Sequence, residues 1–337
     1  MQVTHLSRRG VLAGTAAATA AVALSPLAGR SPAGAAAPLV GRQAPGFYRY
    51  RVGSFEVTAV TDGTRTFPLP DTFVRNAGKA EVNSALAGLY LQQDTVTAPF
   101  TPVVVNTGSK LVVIDTGNGP AQFEQTKGAV GQFHTNLAAA GIDRNTVDTV
   151  IVSHFHGDHI NGLLTADNKP AFASAEVMVP AAEWRFWSDD ANMSKAPAGS
   201  PLEGNFKNIR RVFGALGNKV TQYEPGREIV TGINSVAAYG HTPGHTTHVV
   251  SSGTAKVLVQ ADLTAAIGLL FVRNPGWHAV FDMNGAEAEA TRRKAYDMAS
   301  AEKMLIQGFH FPFPALGYVE KDGASYRLVP AQWNPVL

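Results

Sequence analysis

The stretch Ser153-His154-Phe155-His156-Gly157-Asp158-His159 follows a buried, β-branched run at residues 148–153 (DTVIVS). It places four potential metal ligands within six residues, and imidazole and carboxylate groups both bind zinc and related first-row metals. Two histidines separated by one residue project to the same side where an extended strand ends, whereas Asp158 and His159 belong to the next turn. The stretch therefore predicts two adjacent metal ions rather than a solvated, His-rich surface tract.

Three later segments also place a histidine or an aspartate where a predicted strand meets a loop. They are residues 240–245 (GHTPGH), 261–262 (AD) and 309–312 (FHFP). Loops at strand ends are the usual position of ligands in layered folds of helices and sheets. The chain has no cysteine, which excludes disulfides, thiolate zinc sites and a cysteine nucleophile. Any metal must therefore be held by histidine and carboxylate.

Hydrophobic patterning predicts strands and helices throughout the chain, with no linker between two halves. Strands are predicted at residues 55–62, 101–106, 110–115, 148–153, 234–239, 247–252, 256–261, 318–320 and 326–329, and helices at about 122–140 and 285–300. This distribution predicts one α+β domain over residues 38–337, built as a four-layer αββα sandwich. Residues 181–215, rich in aromatics and then in Pro, Gly and Lys, are expected to form an insertion over the core.

Composition and charge narrow the classes of partner. The 337 residues are 45% hydrophobic and 16% charged, which is typical of a folded globular protein. Arg8, Arg9 and Arg30 lie in a leader without acidic residues, and leaving them out gives 25 basic against 26 acidic residues. A nearly neutral chain without a basic stripe predicts a small-molecule substrate and no nucleic-acid partner.

The first 37 residues resemble a bacterial twin-arginine export signal. Ser7-Arg8-Arg9-Gly10-Val11-Leu12 precedes an Ala-rich apolar run to about residue 24 and then small residues suited to cleavage. The run is too short and too rich in alanine for a good membrane span. We therefore predict a periplasmic or secreted protein, exported by the twin-arginine route, with no stable membrane insertion.

The combined motifs resemble the metallo-β-lactamase superfamily, whose signature is His-x-His-x-Asp-His followed by a histidine, a bridging aspartate and a last histidine. Within it, residues 241–250 (HTPGHTTHVV) and 310–319 (HFPFPALGYV) are similar to the methyl parathion hydrolase branch, a relative of quorum-quenching lactonases. The resemblance covers residue 47 to the C-terminus. Ala261 and Ala315 depart from it, because the branch often has glycine at both positions.

The resemblance implies the metallo-β-lactamase fold and two divalent ions, with zinc expected first and manganese, cobalt or iron as alternatives. The implied ligands are His154, His156 and His245 for the first ion, Asp158, His159 and His310 for the second, and Asp262 as the bridge. Asp115 and His241 are expected to support these ligands by hydrogen bonds, although Asp115 could equally be a turn-capping residue. His134, His248 and His278 match no ligand position, and ordinary packing or exposure is expected for them.

Two ions about 3.5–4 Å apart can lower the pKa of a water between them and generate a metal-bridging hydroxide that attacks phosphorus or a carbonyl carbon. Asp158 and Asp262 are the candidate proton relays. Trp187, Phe271 and Trp277 are the candidate pocket residues, with packing in the core as the alternative for each. An apolar pocket predicts neutral, hydrophobic ester substrates. The leading hypothesis is hydrolysis of organophosphate triesters, and the alternative is hydrolysis of N-acyl homoserine lactones or other lactones.

Other functions are less consistent with the sequence. The ligand set with a bridging carboxylate disfavours a true β-lactamase, and the neutral surface disfavours a nuclease. A redox role like that of diiron flavoproteins would need a flavin domain, for which no residues are left. A metal-binding protein without catalytic activity is the remaining alternative. Edge strands and exposed aromatics allow a homodimer, which the resemblance favours.

Overall fold

The computed structural model describes residues 39–41 and 43–337. The predicted export signal at residues 1–37 lies outside these residues. Residues 44–337 form one compact unit. Among the described residues, no helix combines the length and apolar character that crossing a membrane requires.

The strands are β1 (Phe47–Val52), β2 (Phe55–Val60), β3 (Gly63–Pro68), β4 (Thr95–Phe100), β5 (Val103–Asn106), β6 (Leu111–Ile114), β7 (Thr149–Ile151), β8 (Glu176–Pro180), β9 (Val220–Tyr223), β10 (Glu228–Val230), β11 (Ile233–Ala237), β12 (Thr246–Ser252), β13 (Ala255–Val259), β14 (Leu305–Gln307), β15 (Leu316–Asp322) and β16 (Ser325–Pro330). The α-helices are α1 (Lys79–Gly88), α2 (Ala121–Gln125), α3 (Phe133–Ala139), α4 (Gly157–Ile160), α5 (Ala181–Ser188), α6 (Asp190–Ser194), α7 (Pro201–Leu216), α8 (Gly268–Arg273) and α9 (Gly285–Ala301).

Two seven-stranded sheets and one two-stranded sheet contain these strands. The first sheet has the order β1-β2-β5-β6-β7-β8-β9, the second runs from β10 to β16 in sequence order, and β3 pairs with β4 alone. Pairing is parallel from β6 to β9 and between β13 and β14, and antiparallel elsewhere. The chain thus completes the first sheet before it begins the second.

Alternating valines along the central strands produce the layers. Val103 and Val105 of β5 point into a core shared with Val257 and Val259 of the second sheet, whereas Val104 faces the opposite way. Because side chains alternate between the faces of a strand, one apolar run supplies both the inner core and an outer face. Helices α3, α5 and α7 cover the outer face of the first sheet, and α9 covers that of the second. The predicted αββα sandwich is confirmed.

Helix α7 shows how the segment predicted as an insertion folds. Its start is capped by the Ser200 hydroxyl, which accepts a hydrogen bond from the Glu203 backbone amide at 3.2 Å, and Pro201 occupies its first turn. Its buried side chains recur every three or four residues, at Phe206, Ile209, Val212, Phe213 and Leu216. This apolar stripe packs the helix onto the first sheet beside the cleft described below.

The single helix predicted at about residues 122–140 is wrong. The structure has two short helices, α2 and α3, separated by residues 126–132. Gly128 and Gly131 adopt φ of 83° and 82° in this break, a conformation that glycine enters without strain. The buried Asp62 carboxylate accepts backbone N–H groups from Gly131 and Phe133 at 3.3 and 2.8 Å. A long-range partner therefore interrupts the helical pattern.

The β3–β4 pair and helix α1 were not predicted. They form a separate apolar cluster with residues after β13, including Ala265 and Phe309. Phe67 and Phe100 from this strand pair line one side of the cleft. The strand pair therefore contributes to the site as well as to the fold.

Candidate metal centre

One end of the sandwich gathers the predicted ligands from both sheets. His154 and His156 follow β7, and Asp158 and His159 lie on the short helix α4. The second sheet contributes three further residues, each at a strand end. They are His241 after β11, Asp262 after β13 and His310 after β14.

The first group consists of His154, His156, His241 and Asp262, whose potential ligand atoms all lie within 4.8 Å of one another. His156 Nδ1 lies 3.1 Å from His154 Nε2 and 2.9 Å from His241 Nε2. His241 Nε2 is 3.3 Å from Asp262 Oδ2. The nitrogen and oxygen atoms of these four side chains therefore point into one small volume.

The second group consists of Asp158, His159 and His310. Asp158 Oδ2 lies 3.5 Å from His159 Nε2 and 3.6 Å from His310 Nε2. Asp262 belongs here as well, because its Oδ1 is 3.1 Å from His159 Nε2 and its Oδ2 is 3.2 Å from His310 Nε2. The Asp262 carboxylate therefore lies between the two groups.

Two orphaned atoms indicate that the residues fit metal ions. Within the described residues, His159 Nε2 and Asp262 Oδ1 are buried without a hydrogen-bond partner, a costly arrangement that a cation would relieve. Burial holds the pKa of His154 well below its usual range and lowers that of His156 to about 3, so both rings are neutral at pH 7. Metal ligation requires neutral imidazole, which these two rings already provide; the neighbouring carboxylates raise the pKa of His159 and of His241, so a cation would displace a proton from those rings. The donor set suits two divalent cations.

In the structure His241, rather than His245, lies with His154, His156 and Asp262, whereas the family resemblance implies His245; the assignment of His245 as a ligand stays a prediction. The His245 ring donates from Nδ1 to the Ala238 carbonyl at 2.8 Å, and its Nε2 accepts the Asp262 backbone N–H at 3.0 Å. Both of its nitrogens are therefore already used. His241 instead donates from Nδ1 to Asp282 Oδ1 at 2.9 Å, which leaves Nε2 directed at the group.

Asp115 lies behind His159 and holds its ring. His159 Nδ1 donates to Asp115 Oδ2 at 2.8 Å, and the same carboxylate accepts the Ser153 amide and hydroxyl at 2.8 and 2.7 Å. Burial opposes a charge on His159, yet Asp262, Asp158 and Asp115 together hold its pKa well above the usual range. This bond orients Nε2 toward the second group.

Asp282 and Arg292 support the centre but carry no signal in the sequence. Asp282 accepts from His241 and lies 3.5 Å from Arg292 Nη2. Arg292 is 1% exposed and also donates to the carbonyl of Leu263, the residue after Asp262. In the sequence it is one of several charges on a polar helix, and such charges usually face water.

A cleft of about 1080 Å³ opens over the two groups. Its lining includes apolar residues (Phe67, Phe100, Trp187, Val280, Phe281 and Met283) and polar ones (Arg65, Asn118, Gln122 and Asn161). The prediction that Phe271 and Trp277 line the pocket requires correction. Phe271 is fully buried against Phe73, and Trp277 packs against the same cluster.

The αββα sandwich and the two His/Asp groups at the ends of its sheets together indicate a metal-binding class of protein. Residues 101–307 match the model of the metallo-beta-lactamase superfamily, and the chain belongs to this superfamily of metal-dependent hydrolases. No curated protein sequence matches the chain.

Several solved structures share the fold. AidC, described as a dizinc quorum-quenching lactonase, is 24% identical, with a TM-score of 0.78 over 86% of this chain and 98% of its own. The hydrolase AbOPH of the beta-lactamase superfamily is 26% identical, with a TM-score of 0.78 over 87% of this chain and 100% of its own. A probable metal-dependent hydrolase from Staphylococcus aureus is 18% identical, with a TM-score of 0.62 over 84% of this chain and 100% of its own.

Proposed function

We propose that this protein is a dinuclear, zinc-dependent hydrolase of neutral, hydrophobic esters. The observation that carries the proposal is the Asp262 carboxylate, which reaches histidines of both groups at 3.1–3.3 Å. A single bridging carboxylate between two sets of ligands suits a pair of metal ions rather than two unrelated sites.

Bound divalent ions would activate water and polarise the substrate oxygen. The chain supplies the ligands and a route for the proton. Asp158 has 23% of its side chain exposed, whereas the Asp262 side chain is 4% exposed. Burial opposes ionisation of Asp158, but His159 and its hydrogen bond lower its pKa to about 2. Asp158 is therefore ionised at neutral pH and open to the solvent of the cleft, so it can take part in a proton route only as a transient acceptor.

The cleft supports a substrate with large apolar substituents. Phe281 and Met283 are 40% and 37% exposed, and they line the cleft together with Phe67 and Phe100. Exposed apolar side chains in a cleft of this size favour a neutral, hydrophobic ligand. Organophosphate triesters, the substrates of the branch that the motifs resemble, are our first candidate.

Lactones are the second candidate. Asn118, Gln122 and Asn161 give the cleft amide groups that can bond a polar acyl-amide head. AidC, which shares the fold with a TM-score of 0.78, is described as a lactonase. The same metal centre would serve either reaction.

The deciding experiment compares initial rates of the zinc-loaded chain starting at residue 38 on a dimethyl aryl phosphorothioate and on an N-acyl homoserine lactone. A kcat/KM ratio above about tenfold, or 1.4 kcal/mol, in favour of the triester supports the first candidate, and the reverse ratio supports the second. The Asp262→Asn variant is the control. Equal activity of this variant, or activity insensitive to chelation, contradicts the dinuclear proposal.

We also propose that the protein is exported. The support is the Ser7–Leu12 sequence with its paired arginines and the small residues before position 38. Replacing Arg8 and Arg9 by lysine should keep the protein in the cytoplasm of a bacterial host that has the twin-arginine route. Unchanged export of this variant would contradict the assignment.

A further inference from the structure

Glu183 is a buried carboxylate that accepts three N–H groups. Its Oε1 accepts the Gly244 backbone amide at 2.7 Å. Its Oε2 accepts the Phe155 backbone amide at 3.1 Å and the Trp187 indole at 2.7 Å. The residue has no exposed surface, and none of the three partners is charged. Burial raises the pKa of Glu183, and the three hydrogen bonds oppose this shift because they favour the ionised form.

The three donors belong to parts of the site that are distant in sequence. Phe155 stands between His154 and His156, on the loop that leaves the first sheet. Gly244 lies three residues after His241, on a loop of the second sheet. Both loops carry ligands of the first group, so the Glu183 side chain spans the junction at which that group is assembled.

The third donor connects the same carboxylate to the substrate cleft. The Trp187 ring is fully buried directly behind the surface of the cleft and meets the His156 ring edge-on, with 6.5 Å between ring centroids. Its indole N–H points away, to Glu183. The position of this cleft wall therefore depends on the same acceptor as the two ligand loops.

The chain is closely packed around this junction. A Cβ at Gly244 would lie 2.3 Å from the Glu183 backbone nitrogen, so only glycine lets the second loop approach helix α5. The Thr246 amide also donates to the Ser153 carbonyl at 3.0 Å, which joins the same two loops through their backbones. The loops meet closely enough for one side chain to set their spacing.

We propose that Glu183 is a positioning residue that sets the distance between His154/His156 and His241, and thereby the affinity of the first group for its metal ion. The proposal rests on the metal binding in the proposed function. All three partners are donors, so the position requires a group that only accepts. A carboxylate meets this requirement, whereas a carboxamide turns its NH₂ toward at least one of the donors.

Glu183→Gln tests the proposal, with Glu176→Gln as the matched control because Glu176 is exposed at the start of the neighbouring strand β8. The two stepwise zinc dissociation constants are measured by competition with a chromophoric chelator, and the melting temperature of the metal-free protein is recorded alongside. We expect Glu183→Gln to raise one constant by about 10- to 100-fold and the other by less than about threefold. The control should leave both constants unchanged.

A variant that does not fold would leave the constants unmeasured, so Trp187→Phe provides a second route. It removes one donor to Glu183 and keeps an aromatic ring, and it should raise the same constant by about three- to tenfold.

Other outcomes contradict the inference. A lower melting temperature with both constants unchanged, or an equal rise in both, would make Glu183 a general structural residue. If the wild-type protein binds two zinc ions and Glu183→Gln binds them with the same constants, this inference alone is refuted. Wild-type protein that binds no zinc refutes the proposed function as well.

Discussion

At the scale of single residues, two histidines of one short motif have different environments. His241 and His245 lie four residues apart, and each ring has one nitrogen held by a hydrogen bond within the protein. The other nitrogen of His245 accepts the Asp262 amide, whereas that of His241 points to His156 and Asp262. In the structure, the backbone path of the loop, rather than the spacing of the motif, determines which of the two rings faces the centre.

We predict that His241→Ala lowers bound zinc from two ions to one per chain. His245→Asn should retain two ions and lose about 1–3 kcal/mol of stability, because the buried Asp262 amide loses its acceptor. Metal analysis after dialysis and urea unfolding measure the two effects. One remaining ion in His245→Asn and two in His241→Ala would restore the assignment implied by the family resemblance.

His248 predicts a pH dependence of stability. The ring is fully buried, its Nε2 lies 3.0 Å from the Tyr223 hydroxyl, and burial lowers its pKa to about 4 despite an opposing effect of Asp115. The unfolded chain binds the proton near pH 6.5, so this stability is present above that value and is lost as the pH falls toward 4. From pH 7 to 5 the contribution falls by about 2 kcal/mol.

The measurement is urea unfolding of metal-free protein at pH 7 and pH 5. His248→Gln should lose less stability than wild type between these two values, by about 2 kcal/mol. Equal losses in both proteins would show that His248 does not remain neutral in the folded state.

Residue-scale prediction from the sequence succeeds where the ligands are local. The stretch from His154 to His159 concentrates four ligand-type side chains, and the structure brings all four to the centre. Glu183, Asp282 and Arg292 lie on other segments of the chain, and their residue types alone do not indicate contacts with the centre. Only the folded arrangement shows that they are buried.

At the scale of elements, hydrophobic patterns in the sequence predict the strands better than the segments that connect them. Runs of β-branched residues identify β5, β6 and β7 because both faces of these strands are buried. The break between α2 and α3 could not be predicted, because it depends on bonds to Asp62, about 70 residues earlier. Likewise, β3 and β4 pair although helix α1 lies between them in the sequence, and a local sequence pattern does not show which distant strand is the partner.

Two glycines on helical segments predict opposite effects on stability. A Cβ at Gly162 would lie 1.9 Å from the Thr116 carbonyl oxygen, whereas a Cβ at Gly204 in α7 meets nothing within 4 Å. Gly162→Ala should destabilise by about 1–3 kcal/mol or more through overpacking. Gly204→Ala should stabilise by about 0.5–1 kcal/mol through helix propensity. Urea unfolding of both variants at pH 7 checks this, and effects of the same sign would contradict it.

At the scale of the whole molecule, four apolar clusters hold the sandwich independently of the metal ligands. We therefore predict that chelation abolishes hydrolysis and leaves the far-ultraviolet circular dichroism unchanged. The melting temperature should fall, because free zinc at 100 times the dissociation constant stabilises by about 2.7 kcal/mol per ion. Added zinc should restore both activity and melting temperature. Loss of secondary structure on chelation would show instead that the metal ions are required for the fold.

The division of the chain between the two sheets also has a consequence for protein synthesis. The first cluster of ligands ends at His159, and His310 is added only after the strands of the second sheet have begun. At about 5–20 residues per second, translation supplies the last ligand roughly 8–30 s after the first cluster. A prematurely terminated chain could form the first sheet and still lack the complete dinuclear centre. Full metal content is therefore a mark of a chain that has been translated at least past His310.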